Sequence, residues 1–176
     1  MKIRKGTPLD IPAISCIYDL IHDEIEQGRF DMLWFRDLYP TRSWAEEHVT
    51  AGDLYVMEDE SSGNIIASAI INHSPLPEYF EGKWYQPESY DNILIIHTLV
   101  VHPAHKGCGC GSEFLHFFED MARLSGCTRL RLDTQAIDIP ARNLYKKFGY
   151  TEADFLTCEF KGITGIKLVL IEKILE

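Results

Sequence analysis

Two features of this chain carry residues whose types and spacing could do chemistry. One is Lys106-Gly107-Cys108-Gly109-Cys110-Gly111-Ser112, where three glycines alternate with small or polar residues after an apolar run and before an amphipathic one. Residues without Cβ let a chain take unusual φ and bring its amides close to an anion, and a helix starting there adds the positive end of its dipole. The same glycines could instead form a structural turn with no ligand. A Gly-x-x-x-x-Gly-Lys-Ser/Thr loop is excluded, because the lysine precedes the glycines and Ser112 follows Gly111 directly. Gly-x-Gly-x-x-Gly also fails, since its last position falls on Ser112 or Phe114. Cys108 and Cys110 could give two metal ligands, but a structural zinc takes four and no suitably spaced partners follow, so no metal is expected. The other feature is His97, a lone titratable group in the apolar run Ile93–Val101. An imidazole with a pKa of about 6.5 can accept a proton at neutral pH, directly or through water; a satisfied core histidine is the other reading.

The elements that must position these residues follow from periodicity and punctuation. Residues 2–5 read as an edge strand. Thr7 as cap and Pro8 at the first position open a helix carrying Ile11, Ile14, Ile17, Tyr18, Ile21 and Ile25, which runs to about Gln27 and stops at Gly28. The aromatic stretch before Pro40, with Trp34 in it, is either core cover or one wall of a small-molecule pocket. Thr41 or Ser43 caps a second helix ended by Gly52, and residues 53–58 and 65–72 form a hairpin across a turn containing Gly63. Residues 74–91, with three prolines, Trp84 and Tyr85, are the longest irregular stretch and have the length of a functional lid.

Residues 93–101 suit a central strand covered on both faces. The helix after the glycine turn buries Phe114, Leu115, Phe118, Met121 and Ala122 and ends at Gly126. Residues 128–134 alternate as a strand, and the helix-length link before them implies a parallel crossover. Asp138 and Pro140 open a helix over 141–148, and residues 152–160 and 165–174 form an antiparallel hairpin. The whole reads as one α/β domain over residues 1–176 with a mixed sheet.

The formal charge of −10 and pI near 5.1 argue against nucleic acid, because phosphate contact needs clustered Lys and Arg. An acidic surface keeps a protein soluble and can also attract a cationic substrate. No run of about 18 apolar residues occurs, which argues against a membrane span. The N-terminus has no apolar signal region, so a cytoplasmic protein is expected. Five cysteines at irregular spacing suit free thiols in a reducing compartment.

From Val101 to Leu115, and again from Asn143 to Tyr150, the sequence resembles the GNAT superfamily of acetyl-CoA-dependent N-acetyltransferases. Its Arg/Gln-x-x-Gly-x-Gly/Ala hallmark corresponds to Lys106-Gly107-Cys108-Gly109-Cys110-Gly111, with lysine in the first place. Its Asn-x-Tyr helix ending in Gly-Phe/Tyr corresponds to Asn143-Leu144-Tyr145-Lys146-Lys147-Phe148-Gly149-Tyr150. Weaker likeness extends to Tyr39-Pro40-Thr41-Arg42, to Leu54-Tyr55-Val56 and to Arg131-Leu132-Asp133-Thr134.

The resemblance implies a mostly antiparallel central sheet with a parallel pair in the middle and helices on both faces. It implies acetyl-CoA as co-substrate, with no metal, and direct attack by a primary amine of a small molecule or a protein. In it, the backbone of Leu99, Val100 and Val101 pairs with the pantetheine, residues Lys106, Gly107, Cys108, Gly109, Cys110, Gly111 and Ser112 hold the pyrophosphate, and Asn143 reaches the pantetheine amide. Tyr145 would be the general acid and His97 the base, although glutamate is the commoner residue on that strand. Trp34, Trp84 and Tyr85 are candidate walls for the acceptor. A non-catalytic acyl-CoA-binding sensor or scaffold is the rival function, and the terminal strands are compatible with a homodimer.

Overall fold

The computed structural model describes residues 1–85 and 87–175. Seven strands follow the hydrogen-bonded order β1-β2-β3-β4-β5-β7-β6, and every described strand pairing is antiparallel except β4 with β5. The chain forms two compact units, one of Met1–Ile71 with Thr98–Phe117, the other of Asn72–His97 with the chain from Phe118 onward.

The first unit contains β1 (Lys2–Lys5), α1 (Ile11–Glu26), α2 (Arg42–Ala51), β2 (Leu54–Glu58) and most of β3 (Ile65–Asn72). It also holds the end of β4 (Ile93–Val101) and the start of α3 (Cys110–Leu124). The helix expected to start at Thr7 begins as a single 3-10 turn over Pro8–Asp10 before α1 proper. Asp10 explains the pause. Its Oδ2 accepts from the Thr7 amide and hydroxyl, each at 2.8 Å, and its carboxylate takes both ends of the Arg4 guanidinium at 2.8 and 2.9 Å. The isoleucine stripe then does what its 3.6-residue period requires: Ile14, Ile17, Tyr18 and Ile21 pack with Ala45, Leu54, Val56, Ile70 and Val100 in one core cluster. Thr41 caps α2 through its hydroxyl, and Gly52, at φ 76°, ends it.

The second unit contains the beginning of β4, the remainder of α3, β5 (Arg129–Gln135), α4 (Ile139–Lys147), β6 (Thr151–Phe160) and β7 (Ile163–Ile174). The terminal hairpin is antiparallel as its turn suggests, and β7 also pairs along the full length of β5, from Arg129↔Ile174 to Gln135↔Leu168. Asp138 caps α4 through its side chain and accepts from the Ala141 amide. Within the stretch expected to be irregular, residues 76–84 are anchored to the core. The stretch forms 3-10 turns at Pro77–Phe80 and Tyr90–Asn92, and Tyr79, 1% exposed, joins Ile93, Ile95 and Leu170 in a second core cluster flanked by Leu76, Trp84 and Tyr90. Gly82 permits this close approach, because a Cβ there would lie 2.0 Å from the Leu170 Cδ1.

Two details of β4 and β5 matter for function. Parallel pairing runs from Ile93↔Arg129 to Ile95↔Arg131 and ends there, although both strands continue. At Thr98 the strand adopts φ 49°, a left-handed conformation that costs a non-glycine residue about 1–3 kcal/mol and persists only where surroundings over-determine it. Here the Thr98 hydroxyl is held by the hydroxyl of Tyr39 and by the indole N–H of Trp44.

Candidate functional site

In the first unit the chain leaves β4, makes a 3-10 turn at Pro103–His105 and enters α3 through the glycines. His102 starts that turn, its Nδ1 accepting from the Ala104 amide at 3.1 Å. Gly107 and Gly109 sit at φ 80° and 87°, the left-handed region where glycine is the residue of choice, and a Cβ at either would meet nothing within 4 Å. Space is therefore not the reason for glycine here; backbone direction is. The Cys108 amide bonds to the His105 carbonyl and the Glu113 amide to the Gly109 carbonyl. Among the described residues, the amides of Gly107, Gly109, Gly111 and Ser112 show no bond to a backbone carbonyl outside the helix, while the Cys110 amide faces its own thiol. These are the orphan donors expected of a helix start, lying where the dipole is positive, and they suit a phosphate.

The side chains of the turn play smaller parts. Lys106 is exposed and carries its ammonium over the Phe30 ring at 5.6 Å. Cys108 is exposed, while Cys110 is buried with its thiol pushed up by desolvation, so it serves as packing rather than as a reactive thiolate. Val100 is buried in the core of the same unit, with Leu99 and Val101 half-buried on either side. Trp34 packs against that core, with its ring edge-on to Tyr39 at 5.4 Å, as core cover would.

In the second unit, Tyr145 is 7% exposed, and burial first, then the carboxylates of Asp138 and Asp133, holds its phenol well above the ordinary tyrosine range. Asn143, two residues earlier, is exposed, and both residues line a cavity of about 580 Å³ together with Arg142, Lys146, Tyr150 and Ile171. His97 is half-buried. Its Nε2 lies 3.1 Å from the Ser74 carbonyl, which can only accept, so that nitrogen carries the proton. Trp84 lies across the guanidinium of Arg131 at 4.0 Å and donates its indole N–H to the Tyr79 carbonyl. Tyr85 is more exposed; its amide bonds to Glu172 and its hydroxyl to the Glu152 carbonyl.

Two residues of this unit escaped the sequence reading. The Tyr79 hydroxyl donates to Asp133 Oδ1 at 2.8 Å, and the Tyr79 ring stands 6.3 Å from the His97 ring. Desolvation pushes the Asp133 carboxyl up to about 6, and the Tyr79 hydrogen bond opposes part of that rise. The Tyr79 phenol is in turn raised well above its usual value, by burial first and then by Asp133. Nothing in an irregular proline-rich stretch marks Tyr79 as the aromatic that goes inward. Asp133 lies in an alternating strand, and alternation alone does not show what covers its polar face.

A mixed sheet whose one parallel pair, β4 with β5, ends at the third residue of β5 makes this an α/β protein. Residues 17–150 match the acetyltransferase (GNAT) family, and the chain belongs to that family. It is 31% identical over 70 residues to streptothricin acetyltransferase of Escherichia coli, a match spanning 40% of this chain and 40% of that protein. Among solved structures it resembles a GNAT-family acetyltransferase from Streptococcus agalactiae (TM-score 0.79, 21% identity, covering 99% of this chain and 95% of the other). It also resembles a ribosomal-protein-alanine N-acetyltransferase from Brucella melitensis (TM-score 0.70, 21% identity, 99% and 100% covered). A third likeness is to a protein from Salmonella typhimurium solved with its cofactor acetyl-CoA (TM-score 0.67, 20% identity, 99% and 94% covered). At these identities the structural likenesses speak for the fold. Among the described residues no cluster of His, Cys, Asp and Glu could hold a metal ion, and no helix is long and apolar enough to cross a membrane.

Proposed function

We propose that this protein transfers the acetyl group of acetyl-CoA to a primary amine by direct attack in a ternary complex. The observation that carries this reading is the set of unpartnered amides at Gly107, Gly109, Gly111 and Ser112, on or beside the residues that match the family's coenzyme hallmark. Four N–H groups at and just before a helix start suit a pyrophosphate, with the exposed Lys106 adding positive charge. The backbone of Leu99, Val100 and Val101 would pair with the pantetheine, and Asn143 would reach its amide. Bound acetyl-CoA would supply a thioester carbon for the amine and a thiolate to be protonated.

Tyr145 is assigned the proton for that thiolate. A phenol raised above its usual value of about 10 stays protonated at neutral pH, so the donor form is always present. Donation to a thiolate whose conjugate acid lies near about 8.5 is uphill, so the proton moves as the C–S bond breaks and charge gathers on sulfur. Two groups of the same unit are candidates for the ammonium proton: the His97 imidazole and the Asp133 carboxylate. Trp34, Trp84 and Tyr85 are candidates for contacts with the acceptor.

The test is release of coenzyme A thiol with a panel of small primary amines, lysine-bearing peptides and streptothricin, the compound named for the Escherichia coli relative. Tyr145→Phe is expected to lower kcat by about 100-fold with acetyl-CoA affinity preserved. Unchanged turnover in Tyr145→Phe overturns the acid assignment, and acetyl-CoA binding without thiol release from any amine marks a binding module instead of an enzyme.

A further inference from the structure

We infer that Asp133, oriented by Tyr79, is the catalytic group that takes the proton from the acceptor's ammonium. The inference rests on the transferase reading above and names the residue that prepares the nucleophile.

The strand geometry puts Asp133 at the opening. Parallel pairing ends at Ile95↔Arg131, and Asp133 is two residues beyond, as is His97 on the other strand. β5 stays fixed there because Asp133 still pairs with Leu170 of β7 on its other edge. The carboxylate is half-buried, with Tyr79 donating to Oδ1; among the described residues no donor meets Oδ2. One oxygen is thus positioned and the other is available.

Arg131, on the same strand face, is engaged by other groups. Arg131 pairs with Glu172 at 3.2 Å, both almost fully buried, and its guanidinium is stacked under Trp84. The other titratable groups around Asp133 are Tyr79 and Tyr90 from the irregular segment, His97 on β4, Tyr145 on α4 and Cys158 on β6. The Cys158 thiol is itself pushed up to about 11 by burial and by Glu78, Asp133 and Glu81, so it stays protonated. His97 is less suited as the first acceptor, since one ring nitrogen is committed as a donor to Ser74 and the ring's place is set by that bond.

The step balances with the Tyr145 proton included. The ammonium transfers one proton to Oδ2, giving a carboxylic acid and a neutral amine; the freed lone pair forms the C–N bond as the C–S bond breaks, and the surplus proton left on nitrogen replaces the one Tyr145 gives to the thiolate. The acid then returns its proton to water. A carboxyl raised to about 6 is ionised at neutral pH yet more basic than an ordinary aspartate, which favours this transfer.

The experiment measures kcat/KM for the best amine of the panel between pH 5 and 8.5 on the full chain, with acetyl-CoA binding followed by calorimetry on each variant. Wild type is expected to lose activity below about pH 6. Asp133→Asn is expected to lower kcat/KM by about 100-fold or more and to remove that acid limb, with acetyl-CoA affinity unchanged. Tyr79→Phe removes a bond that lowers the carboxyl's pKa, so its limb moves to higher pH, a shift that mere loosening of the fold does not produce. His97→Ala keeps the limb. Retention of the limb in Asp133→Asn, or its loss in His97→Ala with Tyr79→Phe unshifted, overturns the assignment while leaving the transferase intact. Wild type that binds acetyl-CoA yet acetylates no amine refutes the transferase and this inference with it.

Discussion

Gly109→Ala separates a ligand-binding turn from a merely structural one. Gly109 has φ 87°, and its alanine Cβ would touch nothing within 4 Å, so the substitution acts through backbone conformation alone. Holding alanine in the left-handed region costs about 1–2 kcal/mol. If the turn keeps its shape, that strain appears as lost stability, about 2–8 °C in Tm for a chain of this size. If the turn relaxes to negative φ, the Gly109 amide swings away. A hydrogen bond to a charged group contributes about 1.5–3 kcal/mol, so losing one weakens acetyl-CoA binding by about 10- to 150-fold. Gly63→Ala is the matched control. Gly63 has φ 71° in the β2–β3 turn and equally open surroundings, so it shares the backbone penalty without a role in binding. Calorimetric titration with acetyl-CoA, paired with thermal unfolding, reads both quantities. If Gly109→Ala weakens acetyl-CoA no more than Gly63→Ala does, the amide cradle is not where the coenzyme binds.

Two further substitutions test how the second unit is held. Gly82→Ala drives a Cβ to 2.0 Å from the buried Leu170 Cδ1, and overpacking of this kind costs about 1–3 kcal/mol; an unchanged urea midpoint would mean the 76–84 segment is not packed as described. Asp133→Asn is expected to stabilise the protein at pH 7.5 and not at pH 4. The carboxyl's folded value of about 6 lies above its ordinary 3.8, so ionisation opposes folding increasingly as pH rises from 3.8 through 6. The gain at pH 7.5 is about 3 kcal/mol, read from urea unfolding at the two pH values, and equal midpoints at pH 7.5 would refute the burial argument.

Much of the first unit was legible because its signals are local. Thr41, Gly28 and Gly52 act at the positions their conformations dictate, and the α1 stripe buries the isoleucines that its period selects. Ile65–Asn72 and Ile93–Val101 have the bounds their patterns give. Insertion of β7 beside β5 was not legible, since a terminal hairpin carries no local mark of which existing strand it will join. Nor was the left-handed Thr98, a β-branched residue whose conformation is imposed by Tyr39 and Trp44 from far along the chain. The glycine turn was legible in sequence as a motif, while its reason, the positive φ of Gly107 and Gly109 that turns unpartnered amides outward, appears only in three dimensions.

Asp133 escaped notice because alternation in β5 does not show what covers its polar face, and the usual rule puts polar residues outward. Arg131, Asp133 and Gln135 share one face, and on that rule all three would be solvated. Instead Arg131 and Gln135 are buried and Asp133 half-buried, under a segment whose inward aromatics are Tyr79 and Trp84. Covering a polar face in this way is tolerable for Arg131, which has Glu172 and an indole to compensate it. For Asp133 the compensation is a single phenol, and desolvation exceeds it, as the raised carboxyl records. An amide of the same shape could accept the Tyr79 proton without any charge to desolvate. A carboxylate that lowers stability at neutral pH, where an isostere would serve the fold as well, is accounted for by chemistry rather than by packing. The same desolvation that opposes folding lifts the carboxyl toward neutral pH, which is the property required of a group that must pull a proton from an ammonium.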